Sequence, residues 1–156
     1  MGTSTVELTD AIDTLGLAYH EVGHGLVARA SGMAVRRLRL ERSWSGRVTC
    51  GYTLLKQPEP DAATTVWRGY AVMLFAGVTA QARYLDQVGA LTSRVQAVLD
   101  KNTGDFEDWL QHRHLCGITE SAARRAAAAY CDTHWPRMTR LAERLATNFQ
   151  LSGSAL

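Results

Sequence analysis

The sequence predicts a mainly helical α+β domain, a helical array carrying a small β-ribbon. Three observations carry that prediction. Apolar residues recur three and four apart over long stretches in the N-terminal, central and C-terminal parts of the chain. Two short segments between the first and second helical stretches alternate with period two. An HExxH motif, His20-Glu21-Val22-Gly23-His24, falls inside the first helical stretch, the context its chemistry requires.

The first helix is expected from about Asp10 to Ser31. Ile12, Leu15, Tyr19, Val22 and Leu26 make one face, Thr9 or Asp10 could cap its start, and Gly32 could supply a left-handed C-terminal residue. Val35, Leu38 and Leu40 mark a first strand among arginines. Arg47 to Leu55 marks a second, with Ser43-Trp44-Ser45-Gly46 as the turn between them and Pro58 and Pro60 closing the segment. From Asp61 the pattern is helical again. Val66, Tyr70, Met73, Leu74, Phe75, Val78, Ala82 and Leu85 make a helix apolar over much of its circumference, as expected of a central core element, and Gly89 ends it. A short helix is expected over Ser93 to Asp100, a loop over Lys101-Asn102-Thr103-Gly104, and a further helix from Asp105 with Phe106, Trp109 and Leu110 on its apolar face. A last helical pair follows, with Thr119 and Ser121 as candidate caps and an alanine-rich run to about His134. There Pro136 opens a new helix or kinks a continuous one, and Met138, Leu141 and Leu145 continue the apolar face. The tail, residues 150–156, is expected to be disordered. Trp44, Trp67, Trp109 and Trp135 are expected in the core or as groove walls.

Length and composition bound the function. The chain has 156 residues, 46% hydrophobic and 21% charged, which fits one globular domain of ordinary composition. Lys plus Arg is 17 against 15 for Asp plus Glu, a formal charge of +2. That balance gives no electrostatic case for nucleic acid or an anionic membrane as partner. Three cysteines without a CxxC pair read as reduced thiols, neither a disulfide framework nor a thiolate metal site. The N-terminal stretch lacks a basic-then-apolar pattern and no long apolar run follows, so a cytoplasmic protein is expected.

The HExxH spacing has a mechanical meaning. Residues four apart on a helix lie on one face, so His20 and His24 can share one Zn²⁺. Glu21, one residue past the first ligand, is placed to reach the metal's water and act as general base. With 5 histidines in the chain, a chance match is expected in roughly one chain in a hundred or fewer. The competing reading is a surface helix with two solvated histidines. The apolar face beside the motif, and Gly23 and Gly25 within it, speak against that reading, because each glycine costs the helix about 1 kcal/mol unless close packing needs it. A catalytic zinc site wants a third protein ligand and an open position. Asp86, Asp100, Asp105, Glu107, Asp108, His112, His114 and Glu120 are candidates, and spacing alone does not choose among them. Asp105 would serve equally as a helix N-cap. The arginines at 36, 37, 39, 42 and 47 read first as solvated faces and second as a docking surface for an acidic substrate or partner. No Gly-x-Ser-x-Gly elbow occurs, which argues against a serine hydrolase.

Ala18-Tyr19-His20-Glu21-Val22-Gly23-His24-Gly25-Leu26-Val27-Ala28 is similar to the zinc helix of the peptidase domain of FtsH-type AAA proteases. Val35 to Leu40 and Gly51-Tyr52-Thr53 resemble the ribbon that follows it. Phe75-Ala76-Gly77-Val78-Thr79-Ala80-Gln81 resembles the family's Gly-Gly-x-Ala-Ala-Glu segment. Thr103-Gly104-Asp105-Phe106 resembles the loop and helix start that carry its third zinc ligand, and Trp135 to Gly153 its closing helices. The matches keep their order over nearly the whole chain, although only the zinc motif is specific. The resemblance implies Zn²⁺ held by His20, His24 and Asp105, with Glu21 catalytic. It also implies an outer partner for a ligand histidine at position 81, where Gln81 replaces the family's usual Glu and brings no charge.

The function expected on this basis is a zinc metallopeptidase that hydrolyses a polypeptide substrate. No Gly-rich phosphate loop occurs, so it is expected to lack the family's ATPase motor. Its substrates would then be unfolded, flexible or brought by a delivering or regulatory protein, and a motor-type hexamer is not implied. Two alternatives stand beside it. One is a repressor-cleaving protease of the ImmA type, disfavoured by strands and prolines where that type has an apolar helix. The other is a non-catalytic zinc domain with a binding or regulatory role, disfavoured by the intact Glu21.

Overall fold

A computed structural model describes residues 3–101 and 103–156. Met1 and Gly2, from the expected N-terminal stretch, and Asn102, from the expected 101–104 loop, lie outside the described residues. Five helices and a small antiparallel sheet make up the described chain, the architecture the periodicities predict. The order is α1 (Thr3–Ala30), β1 (Val35–Arg42), β2 (Val48–Leu55), α2 (Thr64–Gln87), α3 (Ser93–Asp100), α4 (Thr103–Cys116), α5 (Glu120–Asn148), β3 (Gln150–Ser152) and a 3₁₀ turn at Gly153–Ala155.

The centre is an α1–α2–α5 layer. The apolar stripe of α1 buries Tyr19, Val22 and Leu26 against α2 and α5. Tyr19 is its rivet. Its ring stacks between Tyr84 and Trp135, each at a centroid distance of 4.8 Å, and its hydroxyl lies 3.0 Å from Thr139 Oγ1. Offset stacking and a hydrogen bond at the buried end fix both the height and the rotation of α1. The next residue in the chain is His20. At the same level α1 and α2 approach very closely, since a Cβ on Gly23 would meet the Ala76 carbonyl oxygen at 2.6 Å. The helix cost of that glycine is thus offset by backbone-to-backbone packing. A second cluster around Trp67, Phe75 and Trp109 joins α2 to α4.

The sheet has the order β2-β1-β3. Leu38 and Leu40 of β1 are buried on the face toward the helices while Arg37 and Arg39 point outward, the alternation that a half-buried strand imposes. Opposite them on β2 stand Thr53 and Gly51 on the inner face and Leu54 and Tyr52 on the outer. The ribbon turn closes with Gly46 at φ 85°, a left-handed conformation that glycine adopts without cost.

The structure corrects five sequence expectations. First, α1 begins at Thr3, so neither Thr9 nor Asp10 caps it. Second, α4 begins at Thr103 instead of Asp105. Third, α5 is one helix of 29 residues that runs through Pro136. Pro136 has no N–H for the Asp132 carbonyl, but Cys131 before it and Met138, Leu141 and Leu145 after it are all buried, and that packing outweighs the missing bond. Fourth, residues 150–156 are ordered. Gln150 to Ser152 pair with β1, Leu151 and Leu156 are buried, and Arg29 Nη1 donates to the main-chain oxygens of Gly153 and Leu156 at 2.7 and 2.6 Å. Fifth, Trp44 is fully exposed at the ribbon turn, neither core nor groove wall. Thr119 does cap α5, its hydroxyl accepting from the Ala122 N–H at 3.2 Å, and Cys50, Cys116 and Cys131 are free thiols. No helix among the described residues is long and apolar enough to cross a membrane.

Candidate metal centre

His20 and His24 lie one turn apart on α1, both buried, and their rings meet edge to face. Their outward nitrogens are each tied down. The His24 Nδ1–H donates to the Met73 carbonyl oxygen at 2.8 Å, and the His20 Nδ1–H donates to Gln81 Oε1 at 3.0 Å. A carbonyl oxygen only accepts, so these partners put the proton on Nδ1 and leave Nε2 of a neutral ring as a bare lone pair. Those two Nε2 atoms point at each other, 2.9 Å apart. Asp105 Oδ2 completes a triangle with them, at 3.2 Å from His20 and 3.1 Å from His24.

Three lone-pair atoms that converge in a buried place repel one another unless a proton or a metal ion sits among them. The tetrahedral geometry of zinc, with ligand atoms 2.0–2.2 Å from the metal, sets them about 3.3 Å apart. The observed triangle is within a few tenths of an ångström of that. Its composition, two imidazoles and one carboxylate, could hold a metal ion, and the Nδ1 partners are of the kind that orient ligand histidines. Among the described residues no fourth His, Cys, Asp or Glu joins the cluster. A Cβ on Gly77 of α2 would fill the same space, at 2.6 Å from His24 Cε1 and 2.8 Å from His20 Nε2.

Asp105 reaches the histidines because α4 is anchored on α2. Trp109 is buried against Phe75 with centroids 5.5 Å apart, and the Tyr70 hydroxyl donates to Asp108 Oδ2 at 2.6 Å. Burial and the neighbouring Asp108 carboxylate push the Tyr70 hydroxyl far above its ordinary range, so it stays protonated as that donor. Asp105 sits within the first turn of α4, and its side chain is directed at the histidines. Asp86, Asp100, Glu107, Asp108, His112, His114 and Glu120 do not join the cluster.

Glu21 faces β2. The Thr53 hydroxyl lies 2.7 Å from Glu21 Oε2 and donates to it, which leaves Oε1 on the side of Gly51. A Cβ on Gly51 would come within 2.6 Å of Glu21 Cγ and 2.8 Å of Oε1. Gly51 and Thr53 therefore seat the carboxylate between α1 and β2. Glu21 lines a cavity of about 400 Å³ together with His20, His24, Asp105, Tyr70 and the run Gly51 to Leu55. Gly51 to Leu55 belong to β2, an edge strand of the sheet.

Sequence reasoning brought His20, Glu21, His24, Gln81 and Asp105 to this place. It placed Tyr70 and Met73 on a core helix face and Gly51, Thr53 and Gly77 in matched segments, but gave none of them a part in the site. A glycine inside an alternating strand marks a close backbone approach, and that signal was present at Gly51. Met73 acts through its carbonyl, which no residue pattern reveals.

No protein-family model matches this chain, and no curated protein matches it significantly.

That geometry makes proton and metal competitors. Burial alone would lower the His24 pKa, but the Asp105 charge and hydrogen bond, with Glu21 and the Met73 carbonyl, raise it to about 9. The reciprocal pull holds the Asp105 carboxyl well below its usual range despite its burial. In the metal-free chain the raised His24 pKa contributes stability that is fully present below the unfolded value near 6.5 and is lost as pH rises through about 9. A metal ion that takes this place would have to displace that proton. Uptake at pH 7 is expected to release about one proton per ion and to tighten as pH rises toward 9. Isothermal titration in two buffers of different ionisation enthalpy measures the release. A count near zero would show that His24 is already neutral.

Proposed function

We propose that this chain is a zinc-dependent metallopeptidase acting on unfolded, flexible or partner-delivered polypeptides, with no ATPase motor within its 156 residues. The observation that carries the reading is the triangle of His20 Nε2, His24 Nε2 and Asp105 Oδ2, with the Glu21 carboxylate seated beside it on the wall of an open cavity. Zinc, when bound there, supplies a Lewis acid that polarises a carbonyl and lowers the pKa of water toward neutrality. The residues of the chain do the rest. Glu21, oriented by Thr53, takes the proton from the attacking water and hands it to the departing amine. Gln81 and the Met73 carbonyl keep both imidazoles in the tautomer that leaves Nε2 available. The β2 wall orients the substrate backbone.

Three donors, instead of the four that close a structural zinc site, favour catalysis over a purely structural role. A purely structural site would also have no use for a buried carboxylate held beside the ligands. The similarity to the FtsH-type peptidase helix supports the same assignment, and Gln81 is the one departure that supports a non-catalytic domain.

The test is digestion of casein by the zinc-loaded chain. Hydrolysis is expected, is lost on removal of zinc with a chelator, and returns when zinc is restored. A fully loaded, folded chain that cleaves neither casein nor any other unfolded protein would leave the non-catalytic reading standing.

A further inference from the structure

Several arginines of this chain are committed to partners. Arg47 pairs with Asp10 at 3.0 Å, Arg124 with Glu120 at 2.8 Å, and Arg42 lies over the Phe149 ring at 3.7 Å. Arg36, Arg37 and Arg144 differ. They converge on one cavity of about 670 Å³, and among the described residues no carboxylate or carbonyl oxygen meets their guanidinium groups. Arg140, also exposed, stands one helical turn before Arg144 on α5, a spacing at which like charges oppose the helix.

The cavity has firm walls. Arg36 and Arg37 come from β1 and Arg144 from near the C-terminal end of α5, while Gln150 and Ser152 of β3 complete it. The C-terminal segment is locked behind them, because a Cβ on Gly153 would overlap the Val35 carbonyl and Arg29 holds the main-chain oxygens of Gly153 and Leu156. Three unpaired guanidinium groups on such a scaffold are preorganised for carboxylates, which they grip through paired N–H donors.

We propose that the Arg36–Arg37–Arg144 cavity is an accessory site that binds an acidic stretch of the polypeptide substrate. Three features select an acidic peptide. β3 is an edge of the sheet, so an extended chain can lie along it. No aromatic ring lines the cavity, so a nucleic-acid base has nothing to stack on there. Position links the cavity to the metal centre. Arg37 pairs with Ser152 on one side and with Leu54 on the other, and Leu54 lines the metal cavity. Two strand spacings, about 10 Å, separate Leu54 from Ser152 across the sheet. The identity of the ligand as substrate rests on the peptidase reading, whereas binding at the arginines does not require catalysis.

The test is fluorescence anisotropy of labelled deca-glutamate with the zinc-loaded E21Q chain at low salt. Parallel titrations use deca-lysine and a ten-residue oligothymidylate. Deca-glutamate is expected to bind, to weaken as salt rises, and to lose about tenfold or more in affinity when R36A, R37A and R144A are combined. Deca-lysine is expected not to bind. A single R144E, at an exposed helix position, is expected to weaken binding several-fold and serves where the triple variant does not fold. The proposal is overturned if deca-glutamate does not bind, if the arginine variants bind it as well as their parent, or if oligothymidylate binds more tightly. If wild-type chain digests casein while deca-glutamate fails to bind, the accessory site falls alone. If deca-glutamate binds but no protein is cleaved, the peptidase reading falls and the arginine site remains.

Discussion

Replacement of Glu21 by Gln is expected to lower casein hydrolysis by roughly 10²–10⁴-fold, the usual contribution of a positioned general base, while zinc content stays unchanged. The structure explains why these two readouts should separate. Glu21 is buried, it lies outside the ligand triangle, and one of its oxygens accepts from Thr53. Glutamine keeps the shape, and its amide oxygen still accepts from Thr53, so seating against Gly51 is preserved. What disappears is the ability to receive a proton and return it to the leaving amine. Thermal denaturation of both forms checks that the fold is retained, and metal analysis checks the site. Equal activity in the two forms would remove Glu21 from the chemistry. Loss of zinc in the variant would instead make Glu21 part of the metal site and contradict the observed triangle.

The features legible in the sequence were those set by local geometry. The stripe Ile12, Leu15, Tyr19, Val22, Leu26 is a helix face in any environment, and two histidines four apart on that helix must share a side. Asp105 is 81 residues beyond His24, and only tertiary packing through Trp109 and Tyr70 brings it back. Spacing left it one of several candidates, and the ordered resemblance selected it. β3 was illegible for a related reason. Gln150 to Ser152 is three residues long with polar ends, and it becomes a strand only because Arg37, Leu38 and Arg39 offer a ladder. The tail reads as frayed by composition, yet Leu151 and Leu156 complete the core beneath Gly25 and Leu38. Thr53 was hidden because its role is a contact between strand and helix, which neither periodicity nor motif encodes.

Gly77 supplies the second large effect. Gly77→Ala is expected to lower zinc affinity by about a hundredfold or more, beyond the 10–100-fold typical of losing an outer hydrogen bond, and to take hydrolysis down with it. The added methyl would overlap His24 Nε2 and stand 2.8 Å from His20 Nε2, the two atoms that would face a bound metal. Neither side can yield easily. α2 is pressed against α1 at Gly23 and Ala76, and Tyr19, the residue before His20, is clamped between Tyr84 and Trp135. The rings themselves are held from behind by Gln81 and the Met73 carbonyl, so rotation away from the methyl would break one of those bonds. Alanine also raises helix propensity by about 1 kcal/mol relative to glycine, so global unfolding is not the expected cause of the loss. Zinc titration and thermal melting of the metal-free variant distinguish the causes. A metal-free variant that still folds and melts cooperatively, below the wild type because the methyl crowds a packed site, with zinc affinity lost, is the expected pair of results. Zinc affinity unchanged in Gly77→Ala would mean that the metal does not lie between the two Nε2 atoms and Asp105.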